Sequence, residues 1–373
     1  TRFLADLLAS LGVDVFWPKG SHECHLNAAE LTSTIAPYEQ VRKMRASFNV
    51  LGPLLARMGH ATVSLPGGCA IGARPVNLHL QAFEAMGADI AIEDGYVKAA
   101  AIRGLQGAHI VFPFPSVGAT EHVMIAASLA KGETRLENAA CEPEIADLAT
   151  CLNKMGAKIS GAGTNTIQIQ GVESLTGTHY SVMSDRIEAG TFAMTVAATG
   201  GQLVLEGAPS GALGAMINTL RETGTQVEII PEGLRVARDP GAPLKAVNIV
   251  TQPYPGFPTD LQAQFMALMT IADGVSIIRE NIFENRFMHA PELSRLGADI
   301  TVQGQEAIIK GVETLKAAPV MATDLRASVS LVIAGLVSQG ETHINRIYHL
   351  DRGFEGLERK LSACGADIYR DTL

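Results

Sequence analysis

Apolar and polar positions follow one pattern six times along the chain. In each copy, apolar residues recur at helical spacing, the stretch ends at a glycine, and a short segment of the Ala-Asp-Ile type follows. Glycine favours the left-handed backbone just past a helix C-terminus, and the segment after it has strand character. The glycines lie 68 to 75 residues apart: Gly12, Gly87, Gly156, Gly224, Gly297 and Gly365. This period predicts one supersecondary unit in six copies.

A second set of helices is predicted between these, with starts near Tyr38, Ser116, Asp185, Thr259 and Thr323. Most of them open on Ser, Thr or Asp, which are good N-caps. Their residues are apolar or small almost all round, as over 327–337, so we expect them to be buried on every side. The strands instead alternate polar and apolar residues, as over 166–170, which is typical of a sheet with one solvent face.

Buried helices and outer sheets predict an α/β fold in which each domain is an inside-out α/β barrel of three units. The expected domains are 1–183 and 184–373, and the natural hinge is 181–188. Five second helices accompany six first helices, so we expect the first unit to lack its beginning.

The composition of the chain disfavours several classes of function. Of 373 residues, 47% are hydrophobic and 18% are charged, so the chain can bury a large core, and its net charge of −9 disfavours non-specific nucleic-acid binding. No apolar run reaches the ~18 residues of a membrane span, and no signal peptide is visible. The five scattered cysteines fit reduced thiols in the cytoplasm. We expect no metal, because the side chains of 22–25 are adjacent and would not converge.

A glycine-rich loop over 65–75 holds the first chemical candidate, Cys69, five residues from Arg74. A nearby cation lowers the pKa of a thiol and makes it a better proton donor or nucleophile. A surface loop that merely contains a cysteine is the alternative.

The starts of the second helices supply further candidates, since exposed backbone N–H groups and the helix dipole attract anions there. Arginine suits carboxylate and phosphate, although any one of these arginines alone would suit a surface ion pair. Asp260 is either a helix cap or a group that orients or deprotonates a hydroxyl. The segment 185–188 is expected to be an ion-paired hinge. The arginines are Arg45, Arg74, Arg286, Arg326 and Arg352.

Together these motifs resemble those of the UDP-N-acetylglucosamine 1-carboxyvinyltransferases along essentially the whole chain. The matching segments are MRAS, LPGGCAIGARP, PSVGAT, ENAACEPEI, FPTDLQAQ, ENRFMH, TDLRAS and YHLDRG. The resemblance implies two inside-out barrels that close around substrate in the bacterial cytoplasm. It also implies transfer of enolpyruvyl from phosphoenolpyruvate to the sugar 3-hydroxyl, with release of phosphate, in peptidoglycan synthesis. No cofactor is implied.

The resemblance assigns residue roles. It makes Cys69 a general acid and the site of alkylation by fosfomycin, and Asp260 the group that contacts the sugar hydroxyl. Arg74 would face the reacting phosphates, Arg45 would contact substrate, and three arginines would serve phosphoenolpyruvate or closure: Arg286, Arg326 and Arg352. The implied nucleotide-sugar contacts are Arg74, Pro75, Val76, Asn77, Leu78, Phe114, Pro115, Ser116, Val117 and Ile282.

The sequence also departs from this family. No Lys-Asn pair precedes Leu4, and we therefore expect the chain as printed to be inactive. Asn77 replaces a frequent Asp, and Phe114 stands where some members have Lys, which bears on affinity. A non-catalytic relative that binds the nucleotide sugar as a regulator remains an alternative. Another enolpyruvyl transferase is a second one, although the Gly-Gly-Cys loop argues against it.

Overall fold

The computed structural model describes residues 2–66 and 76–371. The chain divides into two compact units, the first running to Val182 and the second from Met183 onward. Both units mix helices and strands, so the α/β class is confirmed. Within the described ranges, no helix is long and apolar enough to cross a membrane.

The first unit contains six α-helices and ten strands among its described residues. The helices are α1 (Arg2–Ser10), α2 (Tyr38–Val41), α3 (Leu51–Met58), α4 (Asn77–Ala85), α5 (Val117–Ala127) and α6 (Pro143–Lys154). The strands are β1 (Asp14–Phe16), β2 (His25–Asn27), β3 (Ile35–Ala36), β4 (His60–Ser64), β5 (Asp89–Glu93), β6 (Tyr96–Ala100), β7 (His109–Val111), β8 (Glu133–Glu137), β9 (Lys158–Ser160) and β10 (Thr166–Gln170). A 3₁₀ helix covers Arg45–Val50.

The second unit contains six α-helices and eleven strands among its described residues. The helices are α7 (Arg186–Thr199), α8 (Gly214–Glu222), α9 (Gln262–Met269), α10 (Ala290–Arg295), α11 (Ser328–Leu336) and α12 (Leu357–Ala363). The strands are β11 (Gly201–Glu206), β12 (Gln226–Ile230), β13 (Gly233–Arg238), β14 (Ile249–Val250), β15 (Val275–Arg279), β16 (Asp299–Gln303), β17 (Glu306–Lys310), β18 (Leu315–Lys316), β19 (Val320–Met321), β20 (Ser338–Gln339) and β21 (Ile344–Asn345). The 3₁₀ helices are Ser210–Ala212, Thr259–Leu261 and Leu350–Arg352.

Three four-stranded sheets share one topology. Their strand orders are β3-β4-β6-β5, β7-β8-β10-β9 and β14-β15-β17-β16. In each, the first two strands are parallel and the other pairs are antiparallel. The remaining sheets are β1-β2, β11-β13-β12, β18-β20 and β19-β21. A repeated hydrophobic pattern in the sequence therefore produces a repeated sheet order.

The six predicted glycines all adopt the left-handed backbone, with φ between 85° and 102°. Each lies two residues beyond the last residue of its helix. A strand starts two residues further on after five of them, whereas no strand follows Gly365 in the described part of the chain. The prediction of left-handed glycines at the helix ends is confirmed. Glycine suits these positions because this backbone conformation strains any residue with a Cβ.

The second helices of the second unit are mostly buried. Every residue of α9 is buried, as are Ser328–Ala334 of α11. These two helices pack against each other and against α7, while α3 packs against α5 in the first unit. In β10, Ile167 and Ile169 are buried and Gln168 and Gln170 are exposed. The predictions of buried helices and half-exposed strands are confirmed.

The helix start predicted at Tyr38 is confirmed, although that helix is short, whereas the start predicted at Thr323 is wrong. The helix at Tyr38 ends after four residues, because Met44 has an extended backbone, and the buried helix of that segment begins only at Leu51. The helix expected at Thr323 begins at Ser328. There the Asp324 carboxylate accepts backbone N–H groups at 2.8 and 2.9 Å within a turn that precedes the helix.

Candidate active site

The predicted site residues Cys69, Arg74 and Pro75 lie outside the described residues. The remaining candidates are divided between the two units. The described cysteines Cys24, Cys141, Cys151 and Cys364 are free thiols.

Asp260 is the centre of the group in the second unit. It follows Pro258 in the 3₁₀ helix that leads directly into α9. Its Oδ1 accepts a hydrogen bond from Nη2 of Arg286 at 2.8 Å, and its Oδ2 lies 3.5 Å from Nε of Arg326. The carboxylate is 39% exposed, whereas the side chains of the two arginines are 5% and 16% exposed. The Asp260 carboxylate is thus open to solvent, whereas the two arginines beside it are largely buried.

The two arginines determine the charge of Asp260. Desolvation raises the pKa of its carboxyl group, but the charges of Arg286 and Arg326, with the hydrogen bond from Arg286 and the charge of Arg186, outweigh that effect. The pKa is therefore lowered from its ordinary value of 3.8. Asp260 is ionised at neutral pH and accepts hydrogen bonds.

Glu280 lies behind this group and was not predicted from the sequence. Its side chain is fully buried, and it accepts hydrogen bonds from the hydroxyls of Thr251 and Thr259, each at 2.9 Å. It also accepts the backbone N–H groups of Ile282 and Phe283 at 2.9 and 3.1 Å. This carboxylate fixes the loop that carries Ile282, a predicted nucleotide-sugar contact. Its only local signal is a carboxylate directly after the alternating strand β15.

Arg326 has unused hydrogen-bonding capacity. Its Nη1 lies 3.9 Å from Oδ2 of Asp185, and its guanidinium lies 5.7 Å from the ring centroid of Phe354. Its Nε and Nη1 are buried and have no hydrogen-bond partner among the described residues. Unsatisfied buried N–H groups are unfavourable, so these two atoms are suited to an anionic ligand.

Two further predicted residues of the second unit differ in their surroundings. Asp185 caps α7 by accepting two backbone N–H groups at 2.8 and 3.0 Å. Arg352 is exposed at the end of a 3₁₀ helix, and no ion pair joins it to Asp260 among the described residues. The next residue, Gly353, packs on Arg326, because a Cβ there would lie 3.4 Å from Nη1 of that arginine. The backbone next to Arg352 therefore lies against Arg326, a member of the group around Asp260.

The candidates of the first unit lie at helix starts. Half-buried Arg45 begins a 3₁₀ helix, and Val76, Asn77 and Leu78 lie at the start of α4. The Leu78 side chain belongs to the hydrophobic core, so only its backbone can contact a ligand. The other predicted contacts, at the start of α5, are Phe114, Pro115, Ser116 and Val117. Ser116 caps α5 through the N–H of Ala119 at 3.4 Å, as predicted.

A buried histidine pair lies among these helices and was also missed by sequence reasoning. The Nδ1 atoms of His79 and His122 are 2.8 Å apart, and Nε2 of His122 accepts the backbone N–H of Gly52 at 2.6 Å. Burial, followed by the charge of His79, holds the pKa of His122 well below its ordinary range. Neutral His122 therefore carries its hydrogen on Nδ1 and donates a hydrogen bond to Nδ1 of His79.

Comparison with known proteins agrees with the resemblance. The family described as EPSP synthase (3-phosphoshikimate 1-carboxyvinyltransferase) matches residues 1–361. A relative from Hyphomonas neptunium, named UDP-N-acetylglucosamine 1-carboxyvinyltransferase, is 75% identical over 372 residues, which are 99% of this chain and 87% of the relative. A protein of the same name from Maricaulis maris is 63% identical over 371 residues, with coverage of 99% and 87%.

Solved structures share the fold. The enolpyruvyl transferase NikO from Streptomyces tendae superposes with a TM-score of 0.86 at 24% identity, covering 99% of this chain and 87% of that one. EPSP synthase from Acinetobacter baumannii gives a TM-score of 0.73 at 21% identity, with coverage of 98% and 87%. The chain belongs to the enolpyruvyl transferase family and groups with its UDP-N-acetylglucosamine 1-carboxyvinyltransferases.

Proposed function

We propose that this chain transfers enolpyruvyl from phosphoenolpyruvate to the 3-hydroxyl of UDP-N-acetylglucosamine and releases phosphate, the first committed step of peptidoglycan synthesis. The observation that carries the proposal is the 75% identity over 372 residues to a relative of that name. The group around Asp260 supports it, since it combines a proton acceptor with cations for two anionic substrates.

The proposed reaction is an addition followed by an elimination. The sugar oxygen bonds to the phosphate-bearing carbon of phosphoenolpyruvate as Asp260 accepts the hydroxyl proton. Cys69 acts as general acid and gives a proton to the methylene carbon, which produces a tetrahedral intermediate. Loss of phosphate and of a methyl proton then restores the double bond. Atoms balance without a redox partner or cofactor.

Substrate binding is expected to make Asp260 a better base. Among the described residues, the two arginines that do most to lower the pKa of this carboxyl group, Arg286 and Arg326, also form ion pairs with it. A phosphate or carboxylate of the substrate on Arg326 would neutralise part of that charge. The pKa of Asp260 would then rise towards the range in which a carboxylate accepts a proton effectively.

The other predicted residues have proposed binding roles. The arginines would bind the anionic groups of both substrates, since guanidinium groups form paired hydrogen bonds with phosphate and carboxylate. Arg74 is proposed to face the reacting phosphates, and Arg45 is proposed as a further substrate contact. The arginines proposed to serve phosphoenolpyruvate or closure are Arg286, Arg326 and Arg352. The proposed nucleotide-sugar contacts are Arg74, Pro75, Val76, Asn77, Leu78, Phe114, Pro115, Ser116, Val117 and Ile282.

We also propose that each domain, 1–183 and 184–373, is an inside-out barrel of three units. The common order of three sheets and the six left-handed glycines support this architecture. We place the protein in the bacterial cytoplasm. The free thiols among the described cysteines support a reducing compartment, and the relatives are bacterial.

The test is release of phosphate from phosphoenolpyruvate, with and without UDP-N-acetylglucosamine. It is made on this chain and on the chain extended by the N-terminal segment of the Hyphomonas neptunium relative. We expect sugar-dependent release that fosfomycin abolishes and that Cys69→Ala greatly reduces, while Cys364→Ala, at an exposed thiol, does not.

Two other results would change the assignment. Tight binding of the nucleotide sugar without phosphate release would favour a non-catalytic relative. Release that depends on shikimate 3-phosphate instead of the sugar would favour another enolpyruvyl transferase.

A further inference from the structure

We propose that Glu280 is a positioning residue that orients the Thr259 hydroxyl and thereby aligns Arg286 with Asp260. The inference rests on the proposed role of Asp260 at the sugar hydroxyl. Glu280 itself is fully buried and is separated from Asp260 by the Thr259 and Arg286 side chains.

The hydrogen bonds of Glu280 are divided unequally between its two oxygens. Oε1 accepts three of them, from the Thr251 hydroxyl and the backbone N–H groups of Ile282 and Phe283. Oε2 accepts one, from the Thr259 hydroxyl at 2.9 Å. A carboxylate has only acceptor sites, so it alone satisfies donors on both oxygens.

The bond to Oε2 leads directly to the site. Because Thr259 gives its hydroxyl hydrogen to Glu280, its lone pairs are available to Nη1 of Arg286, at 3.2 Å. Nη2 of the same guanidinium binds Oδ1 of Asp260 at 2.8 Å. One planar group therefore bridges two consecutive residues. The hydroxyl that Glu280 orients therefore helps to set the orientation of this guanidinium, which also lies 5.2 Å from the ring centroid of Phe283.

Packing alone does not account for a carboxylate at this position. A fully buried charge is unfavourable unless it is paired, and no ion pair within 4.0 Å joins Glu280 to a cation among the described residues. A glutamine of equal size would keep its oxygen towards the three donors at Oε1. Its amide N–H₂ would then face Thr259 and remove the acceptor of the hydroxyl hydrogen.

The first test compares kinetic constants of phosphate release in the active form of the chain. We expect Glu280→Gln and Thr259→Val each to lower kcat on the order of 10-fold to 100-fold, with much smaller changes in KM, because a small misplacement of reacting groups has effects of this size. The double variant should lose no more than either single variant, since both break one chain of contacts. Thr259→Ser keeps the hydroxyl and should restore most of the rate.

Thr251→Val is the control at the other oxygen of Glu280, because it removes the 2.9 Å hydrogen bond to Oε1, together with the acceptor of the Asn281 N–H at 3.0 Å. We expect it to lower thermal stability and leave kcat close to that of the parent. An equal loss of kcat in Thr251→Val, or additive losses in the double variant, would overturn the inference. A parent without sugar-dependent release would instead count against the proposed function.

A second readout needs no turnover. The pKa of Asp260 is measured by carboxyl ¹³C NMR titration of the folded protein. Lost alignment of Arg286 should raise that pKa in Thr259→Val, which changes no charge, and in Glu280→Gln, although loss of a negative charge alone would lower it. Thr251→Val should leave the pKa unchanged. An unchanged or lower pKa in both test variants would refute the role of Glu280.

Discussion

The buried histidine pair of the first unit and the Asp260 group of the second place polar side chains near the core in opposite ways. His79 and His122 satisfy each other, and burial keeps His122 neutral. Asp260 and its arginines are charged, and the carboxylate remains 39% exposed.

Hydrogen-bonding capacity distinguishes the histidine pair, which is structural, from the Asp260 group, which is suited to binding and catalysis. The Nδ1 of His122 donates to His79 and its Nε2 accepts from Gly52, so neither ring nitrogen has capacity left. Arg326 instead keeps two buried nitrogens without a hydrogen-bond partner among the described residues. Buried N–H groups without a hydrogen-bond partner lower the stability of the fold. A ligand that accepts hydrogen bonds from them explains why they are present at this site.

The largest expected effect comes from removing the charge of Asp260. In Asp260→Asn, the amide oxygen still accepts a hydrogen bond from Arg286, but the group no longer takes a proton. We expect kcat for phosphate release to fall by about 10²-fold to 10⁴-fold. Asp299→Asn, at an exposed position on β16, is the control. Equal rates in the two variants would show that Asp260 takes no part in the reaction.

The closed packing of the first unit is tested by Gly52→Ala. A Cβ there would lie 2.6 Å from Cδ2 and 2.8 Å from Nε2 of His122, and 2.9 Å from Cζ of Phe83. We expect the free energy of unfolding to fall by about 1–3 kcal/mol, as is typical of an overpacked core. Gly214→Ala has no atom within 4 Å of the added Cβ and serves as control in urea unfolding. Equal stability of both variants would show that the pair relaxes freely.

The sequence predicted the features that short stretches of backbone determine. Left-handed glycines, the caps Ser116 and Asp185, and helices without a polar face all follow from neighbouring residues. It also predicted Asp260, Arg286 and Arg326 individually, and the structure brings these three together.

The partnerships that organise the two polar groups were not predictable in this way. The histidines are 43 residues apart in the chain, and Glu280 is 21 residues from Thr259. A lone buried His or Glu carries no local signal of its partner, because the contact forms only once separate helices and strands pack. The wrong start at Thr323 has a different, local cause, because the Asp324 carboxylate accepts the N–H groups of Arg326 and Ala327 in a turn that precedes the helix.

An effect of pH on stability is also expected, and it extends the comparison to a second buried histidine. His289 lies in the second unit, and its pKa is lowered to about 4, mainly by burial. In the unfolded chain, His122 and His289 bind protons near the ordinary pKa of 6.5. In the folded protein the pKa of each is lowered, so both side chains are neutral at that pH. Their contribution to stability is therefore complete above that pH and is lost as pH falls towards the folded values. The contribution of Asp260 to stability is complete above its ordinary pKa of 3.8 and is lost only below it, outside this window.

We therefore expect the free energy of unfolding to decrease by about 1.4 kcal/mol per pH unit for each histidine below about pH 6. Urea unfolding at about pH 7 and about pH 5, compared between the parent and each histidine variant, isolates this slope from the opposite effect of Glu121, whose pKa is raised to about 7 mainly by burial. His122→Gln and His289→Gln should each flatten it, while His22→Gln, at an exposed position, should not. Because His289 has no hydrogen-bond partner on either nitrogen among the described residues, its replacement should also lower stability less at neutral pH than replacement of His122. Equal slopes in all three variants would mean that neither buried histidine stays neutral in the fold.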